Sequence, residues 1–125
     1  MTKYHNQKVH ADGKVFDSRK EYVRYQDLSL LEKAGKIHDL QCQVKYQLIP
    51  AQYEIISDPK TGKAKRVCVE RAISYIADFV YKDKDGNMIV EDVKGYRDKR
   101  GGAYAKYIMK RKLMLWVHSI KIKEV

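Results

Sequence analysis

Asp78, Asp92 and Lys94 are the residues of this chain whose types and spacing could do chemistry. They lie within Ile73 to Gly95, ISYIADFVYKDKDGNMIVEDVKG. Two runs rich in Val, Ile, Tyr and Phe flank the polar cluster Asp83, Lys84, Asp85, Gly86 and Asn87, which predicts a β-hairpin. Side chains alternate between faces along a strand, so Ile76, Asp78 and Val80 are expected on one face of the first strand. Met88, Val90, Asp92 and Lys94 are expected on one face of the second. Faces otherwise built for a core therefore carry two acids and a cation. Burying ionised groups is costly unless each has a partner or a metal.

The turn sets whether the acids meet. A three-residue loop, Lys84 to Gly86 with Gly86 left-handed, is a common closure. It pairs Asp83 with Asn87 and places Asp78 opposite Asp92, with Cβ atoms roughly 5 Å apart. A two-residue loop would move Asp92 to the other face. The three-residue closure is the expectation. Two acids and a lysine on one sheet face suggest metal-assisted phosphodiester hydrolysis. Oxygen ligands and a substrate phosphate suit Mg²⁺, held by Asp78, Asp92 and the peptide carbonyl of Val93. The metal would polarise the phosphate and acidify a water, and Lys94 would orient that water or stabilise developing charge. Other patterns fail. Glu91 has Val93 where an acid-x-Lys motif needs lysine. Tyr81 stands where a calcium loop needs its first acid. The four histidines lack zinc-hydrolase spacing, and no phosphate-cradling glycine loop is present.

The elements around the hairpin can be read in order. Lys8 to Asp17 predicts a small hairpin turning at Asp12 and Gly13. A helix follows from Ser18 to Ala34 with Gly35 as its stop, its core stripe being Tyr22, Tyr25, Leu28 and Leu31. Ser18-x-x-Glu21 matches a capping box, and spacing alone favours that role for Glu21 over an acid aimed at the hairpin. Residues 42–48 alternate as a strand, with Cys42, Val44, Tyr46 and Leu48 on the core side and Gln43, Lys45 and Gln47 on the other. Pro50 interrupts it. Tyr53 to Ile56, a turn at Asp58 to Gly62, and Lys65 to Arg71 follow. Lys60, Lys63, Lys65 and Arg66 read there as a solvated turn. Beyond the central hairpin a helix is expected from Ala103 to Trp116, burying Ile108, Met109, Leu113 and Trp116. Ser119 to Val125 reads as an edge strand.

Length predicts one domain over residues 1–125. A hydrophobic content of 44% and ten tyrosines argue against disorder, and a net charge of +10 points to a polyanion. Nucleic acid is favoured over membrane, because no basic amphipathic helix stands apart from the fold. Between Lys94 and Lys112 eight lysines and arginines face one acid, Asp98. Arg97, Lys99, Arg100, Lys106 and Lys110 are the expected phosphate contacts. Cys42 and Cys68 read as reduced structural thiols. With no signal peptide or long apolar run, a cytoplasmic location is expected.

The segment YIADFVYKDKDGNMIVEDVKG resembles the core of the PD-(D/E)xK nuclease superfamily. Asp78 stands as its first acid and Asp92-Val93-Lys94 as the D-x-K; Ala77 replaces the proline before the acid. KYHNQKVHADGKVFDSRKEYVRY and LLEKAGKIHDLQCQVKYQLIP are similar to a small phage- and prophage-encoded family of nucleases. The resemblance covers nearly the whole chain. It implies a restriction-endonuclease-like fold, a mixed central sheet flanked by helices, and dependence on Mg²⁺ or Mn²⁺. It also implies kinship with Holliday junction resolvases and VRR-type nucleases, in several of which the first helix carries an acid near the metals. That assigns Glu21 to the active site, without excluding its cap role. The expectation is a DNA endonuclease, acting on branched, flapped or four-way DNA, as a monomer or a homodimer. The alternative is a non-catalytic nucleic-acid-binding protein using the same basic surface.

Overall fold

A computed structural model describes residues 8–94 and 101–125. Its centre is a four-stranded mixed sheet ordered β3 (His38–Ile49), β6 (Ile73–Lys82), β7 (Met88–Asp92), β8 (Lys123–Glu124). Helices α1 (Arg19–Lys33) and α2 (Gly102–His118) cover it, and β1 (Val9–Ala11) and β2 (Lys14–Phe16) form the small N-terminal hairpin. Strands β4 (Gln52–Ser57) and β5 (Ala64–Glu70) make a separate two-stranded ribbon. This is the expected mixed α/β architecture. Among the described residues no helix is long and apolar enough to cross a membrane.

The central hairpin closes through three residues. Asp83 N–H donates to Asn87 O at 2.9 Å, and Gly86 takes φ +84. The Asp83 carboxylate accepts from the Asp85 and Asn87 N–H groups, which holds the loop and keeps its pKa low. The resulting register pairs Lys82 with Met88 and Phe79 with Glu91, so its continuation puts Asp78 opposite Asp92.

The sheet is buried on both faces, against two separate cores. Under α2 lie Leu48, Tyr75, Ala77, Val80, Val90, Tyr107, Met114 and Ile122. Under α1 and the N-terminal hairpin lie Phe16, Leu28, Ile37, Phe79, Tyr81 and Val93. The strict alternation expected along β6 and β3 does not hold. Tyr75 and Ala77 share a core with Val80, whereas Ile76 is exposed. Likewise Cys42 packs toward α1, whereas Val44 and Tyr46 pack toward α2. Both strands change face at one place, between the pairs Cys42↔Phe79 and Val44↔Ala77. Gln43 there has φ +54, a left-handed residue that reorients the pleat.

Other expectations need correction. In α1 the buried residues are Glu21 and Leu28; Leu31 is exposed. In α2 the buried residues are Tyr107 and Met114, while Met109 is exposed and Trp116 is 86% exposed. Lys110 and Arg111, one turn from both buried residues, are half-buried. The final strand is only Lys123–Glu124, and it pairs parallel to β7.

Gly86→Ala should destabilise the protein by about 1 kcal/mol, because alanine is strained at positive φ. Gly102→Ala, at the start of α2 where an added Cβ meets nothing within 4 Å, should be neutral or slightly stabilising. Urea melts of the two variants check the contrast.

Candidate active site

The β6–β7 ladder stops at Phe79↔Glu91, and the next N–H of β7 finds a side chain instead of a strand. Val93 N–H donates to Asp78 Oδ2 at 2.8 Å. On its other edge β7 is tied to the C-terminus: Val125 N–H donates to Asp92 O at 3.0 Å and Lys94 N–H to Val125 O at 2.8 Å. Asp92 is thus fixed at a strand end held from both sides, within hydrogen-bonding reach of the Asp78 carboxyl. Burial, above all, pushes Asp78 up to about 7. The Val93 N–H opposes this, while the bond to Asp92 and the charges of Glu21 and Asp92 add to it.

Glu21 reaches the site from the first turn of α1. Its N–H donates to Ser18 Oγ at 3.1 Å, so Ser18 caps the helix. Its carboxylate, on a residue only 4% exposed, accepts from Gln43 Nε2 at 2.7 Å. The same Gln43 nitrogen lies 3.5 Å from Asp78 Oδ1. Both readings of Glu21 therefore describe parts of one residue: its backbone is capped and its carboxylate faces Asp78. Burial raises its pKa, and the charges of Asp17 and Asp92 push the same way.

Lys94 stands on the same side as Asp92. Its ammonium contacts Asp92 Oδ2, lies 3.8 Å from Glu124 and sits 2.9 Å from the centroid of the Tyr107 ring. Tyr107 Oη in turn donates to Glu124 at 2.9 Å, and burial followed by that bond raises its pKa. The Lys20 ammonium donates to the Lys94 carbonyl, a second link from α1 to the strand end. Beside Asp92 opens a cleft of about 620 Å³, lined also by Lys45, Ser74, Lys106, Tyr107 and Lys110 among others. Arg97, Lys99 and Arg100 lie outside the described residues.

As the side chains stand, no three His, Cys, Asp or Glu residues among those described are grouped to hold a metal ion. The donor set nevertheless suits a hard cation: carboxylate oxygens from Asp78, Asp92 and Glu21, with burial first and neighbouring charge second opposing ionisation of Asp78 and Glu21. Val93 contributes its N–H to Asp78, and its side chain belongs to the α1-side core.

Glu91, which the acid-x-Lys spacing rules out, points the other way. It is 0% exposed and holds Arg24 through two bonds, Nε–Oε1 at 2.8 Å and Nη2–Oε2 at 2.6 Å, and it accepts from Tyr81 Oη. This brace joins α1 to β7 one residue from Asp92. Four residues at the site were not foreseen. Gln43 and Lys45 read as the outer face of a strand; Glu124 and Tyr107 carried no spacing signal. Only the glutamine had a clue, a polar residue in a strand opposite an expected acid.

Fold and site together define a mixed α/β protein with acids and a lysine at a strand end beside a lysine-lined cleft. More particularly, the chain belongs to the family described as "Protein of unknown function (DUF1064)", whose model matches residues 1–124. No curated protein and no solved structure matches it.

Two stability measurements test this account. The folded Asp78 carboxyl holds its proton more tightly than the unfolded one, whose pKa is near 3.8. Its unfavourable contribution is absent below that value, grows as pH rises toward about 7, and is complete above it. Without divalent metal, Asp78→Asn should therefore stabilise the protein at pH 8 by about 1–2 kcal/mol after allowance for solvent screening. At pH 4 it should have little effect. Arg24→Met leaves the buried Glu91 carboxylate without its partner and should cost about 3–5 kcal/mol in urea unfolding. Replacing Arg24, Glu91 and Tyr81 together by Met, Leu and Phe should recover most of that loss.

Proposed function

We propose that this protein is a metal-dependent DNA endonuclease that hydrolyses phosphodiester bonds, acting on branched, flapped or four-way DNA in phage DNA metabolism. The observation that carries this reading is the convergence of Asp78 and Asp92 with the Lys94 ammonium at a strand end. The Val93 N–H occupies one oxygen of Asp78 and Lys94 pairs with Asp92, yet two neighbouring buried carboxylates still repel, which disfavours them as a purely structural pair. A divalent cation would offset that repulsion. Asp78, Asp92 and the Val93 carbonyl would hold Mg²⁺ or Mn²⁺, with Glu21 as a further acid. When bound, the cation would supply Lewis-acid polarisation of the phosphate.

The chain's own residues have separable tasks. Lys94, beside Asp92 at the strand end, would stabilise charge developing on phosphate oxygens. Tyr107 and Glu124 hold that ammonium in place. Gln43 keeps the Glu21 carboxylate directed at Asp78. Lys106 and Lys110, on one face of α2, would grip the backbone as it enters the cleft.

A binding-only protein with the same basic surface is the second reading, and the Lys94–Asp92 contact favours it, since each charge there already has a partner.

A cleavage panel of duplex, single-stranded, flap and four-way DNA in Mg²⁺ or Mn²⁺ decides between them. Cutting that falls about 100-fold or more in both Asp92→Asn and Lys94→Ala is expected. Metal-free DNA affinity of Asp92→Asn should hold or rise, because an acid repelling phosphate has been neutralised. Wild type that cuts no substrate with either metal, or cuts no better than Asp92→Asn, overturns the nuclease reading.

A further inference from the structure

Among the described residues the β4–β5 ribbon takes no part in either core and its two strands pair only with each other; every residue of β4 is exposed, and in β5 only Val67 is partly covered. A lone two-stranded ribbon is marginal in water, so one standing off a domain is expected to meet something. Its tip, residues 58–66, carries Lys60, Lys63, Lys65 and Arg66 against one acid, Asp58. Asp58 is already engaged, accepting the Lys60 N–H at 2.8 Å within the turn.

The pattern of charge selects the occupant. Ile55, at 69% exposed, lies directly across from Arg66, and Ile56 across from Lys65. Each exposed isoleucine is thus opposed by a cation. A second copy laid on this surface would bring cations against cations, which is repulsive. A polyanion meets no such conflict. The Arg66 guanidinium is set 3.6 Å from the centroid of the Tyr53 ring, an arrangement that holds its fork in place. Ser74 lines the cleft and Ala72 its rim, so the ribbon springs from the edge of the site. Six paired residues carry its tip about 20 Å further.

We infer that the β4–β5 ribbon is a duplex-binding arm, entering the major groove of double-stranded DNA with Lys60, Lys63, Lys65 and Arg66 on the phosphates. A two-stranded ribbon fits a groove about 12 Å wide. The inference extends the reading of the cleft as a DNA site and rests on it for the polymer's identity.

The test measures binding by the full chain without divalent metal, across a salt series, on a duplex and a single strand of equal length. Changing Lys60, Lys63, Lys65 and Arg66 together to Gln should weaken duplex binding about 100-fold or more. The log–log salt slope should become shallower by about three to four. Single-strand binding should fall by less than about tenfold. Lys63→Glu alone, a change too slight to disturb the fold, should already weaken duplex binding about tenfold. Unchanged duplex affinity and slope overturn the inference, as do equal losses on duplex and single strand. A wild type that sediments as a dimer, dissociates on Ile55→Ser and loses no duplex binding in the Gln variant assigns the ribbon to a second copy instead. Lys106→Gln with Lys110→Gln separates the two sites. Loss in the ribbon variant alone would remove the cleft reading and keep the arm; loss in the cleft variant alone would do the reverse.

Discussion

The hydrogen bond from Val93 N–H to Asp78 Oδ2 is the contact on which the site's arrangement depends. It exists because the β6–β7 ladder ends one pair earlier, leaving a backbone donor that a carboxylate can satisfy. To reach it, Asp78 has to leave the alternating pattern of its strand. That departure is matched across the ladder by the left-handed turn of Gln43, whose amide is thereby carried to Glu21. One local irregularity thus gathers groups from β3, β6, β7 and α1. A regular sheet at this position would separate them.

Such a gathering opposes stability. Glu21 and Asp78 are both raised in pKa chiefly by burial, which means that the fold resists their ionisation. The opposing forces lie close by. Arg24 and Glu91 lock α1 onto β7, Lys20 reaches the Lys94 carbonyl, and the C-terminal Val125 pairs with the end of β7. Each holds the backbone in place while the carboxyls repel. Perturbed carboxyls of this kind occur at functional sites and also in structural ion-pair networks.

The hairpin register was legible in the sequence because one residue dictates it. Gly86 in the left-handed region admits the three-residue closure, and everything five positions back from the loop follows by counting. The face switch was not legible, since counting by two assumes a regular pleat and nothing in Cys42 to Val44 announces a break. The expected buried face of α2 failed for a related reason. Apolar character alone does not mark the buried side, since Trp116 faces solvent while Lys110 and Arg111 are half-buried. Glu21 shows a third kind of limit. Its spacing identified a cap, and Ser18 does cap the helix, but a local motif does not say where the remaining carboxylate points.

The two cores give the site an unusual dependence. Glu21 travels with the α1 layer, whereas the Lys94 ammonium is held by Tyr107 of the α2 layer and Glu124 of the short C-terminal strand. Proteins open in cooperative units smaller than the whole, and these layers, sharing only the sheet between them, are natural candidates for two such units. Loosening either would take the site apart while the other remained packed. The assembled site is therefore a coincidence detector for an intact fold. A partial opening of one layer would be enough to disperse it, with no need for the chain as a whole to come undone.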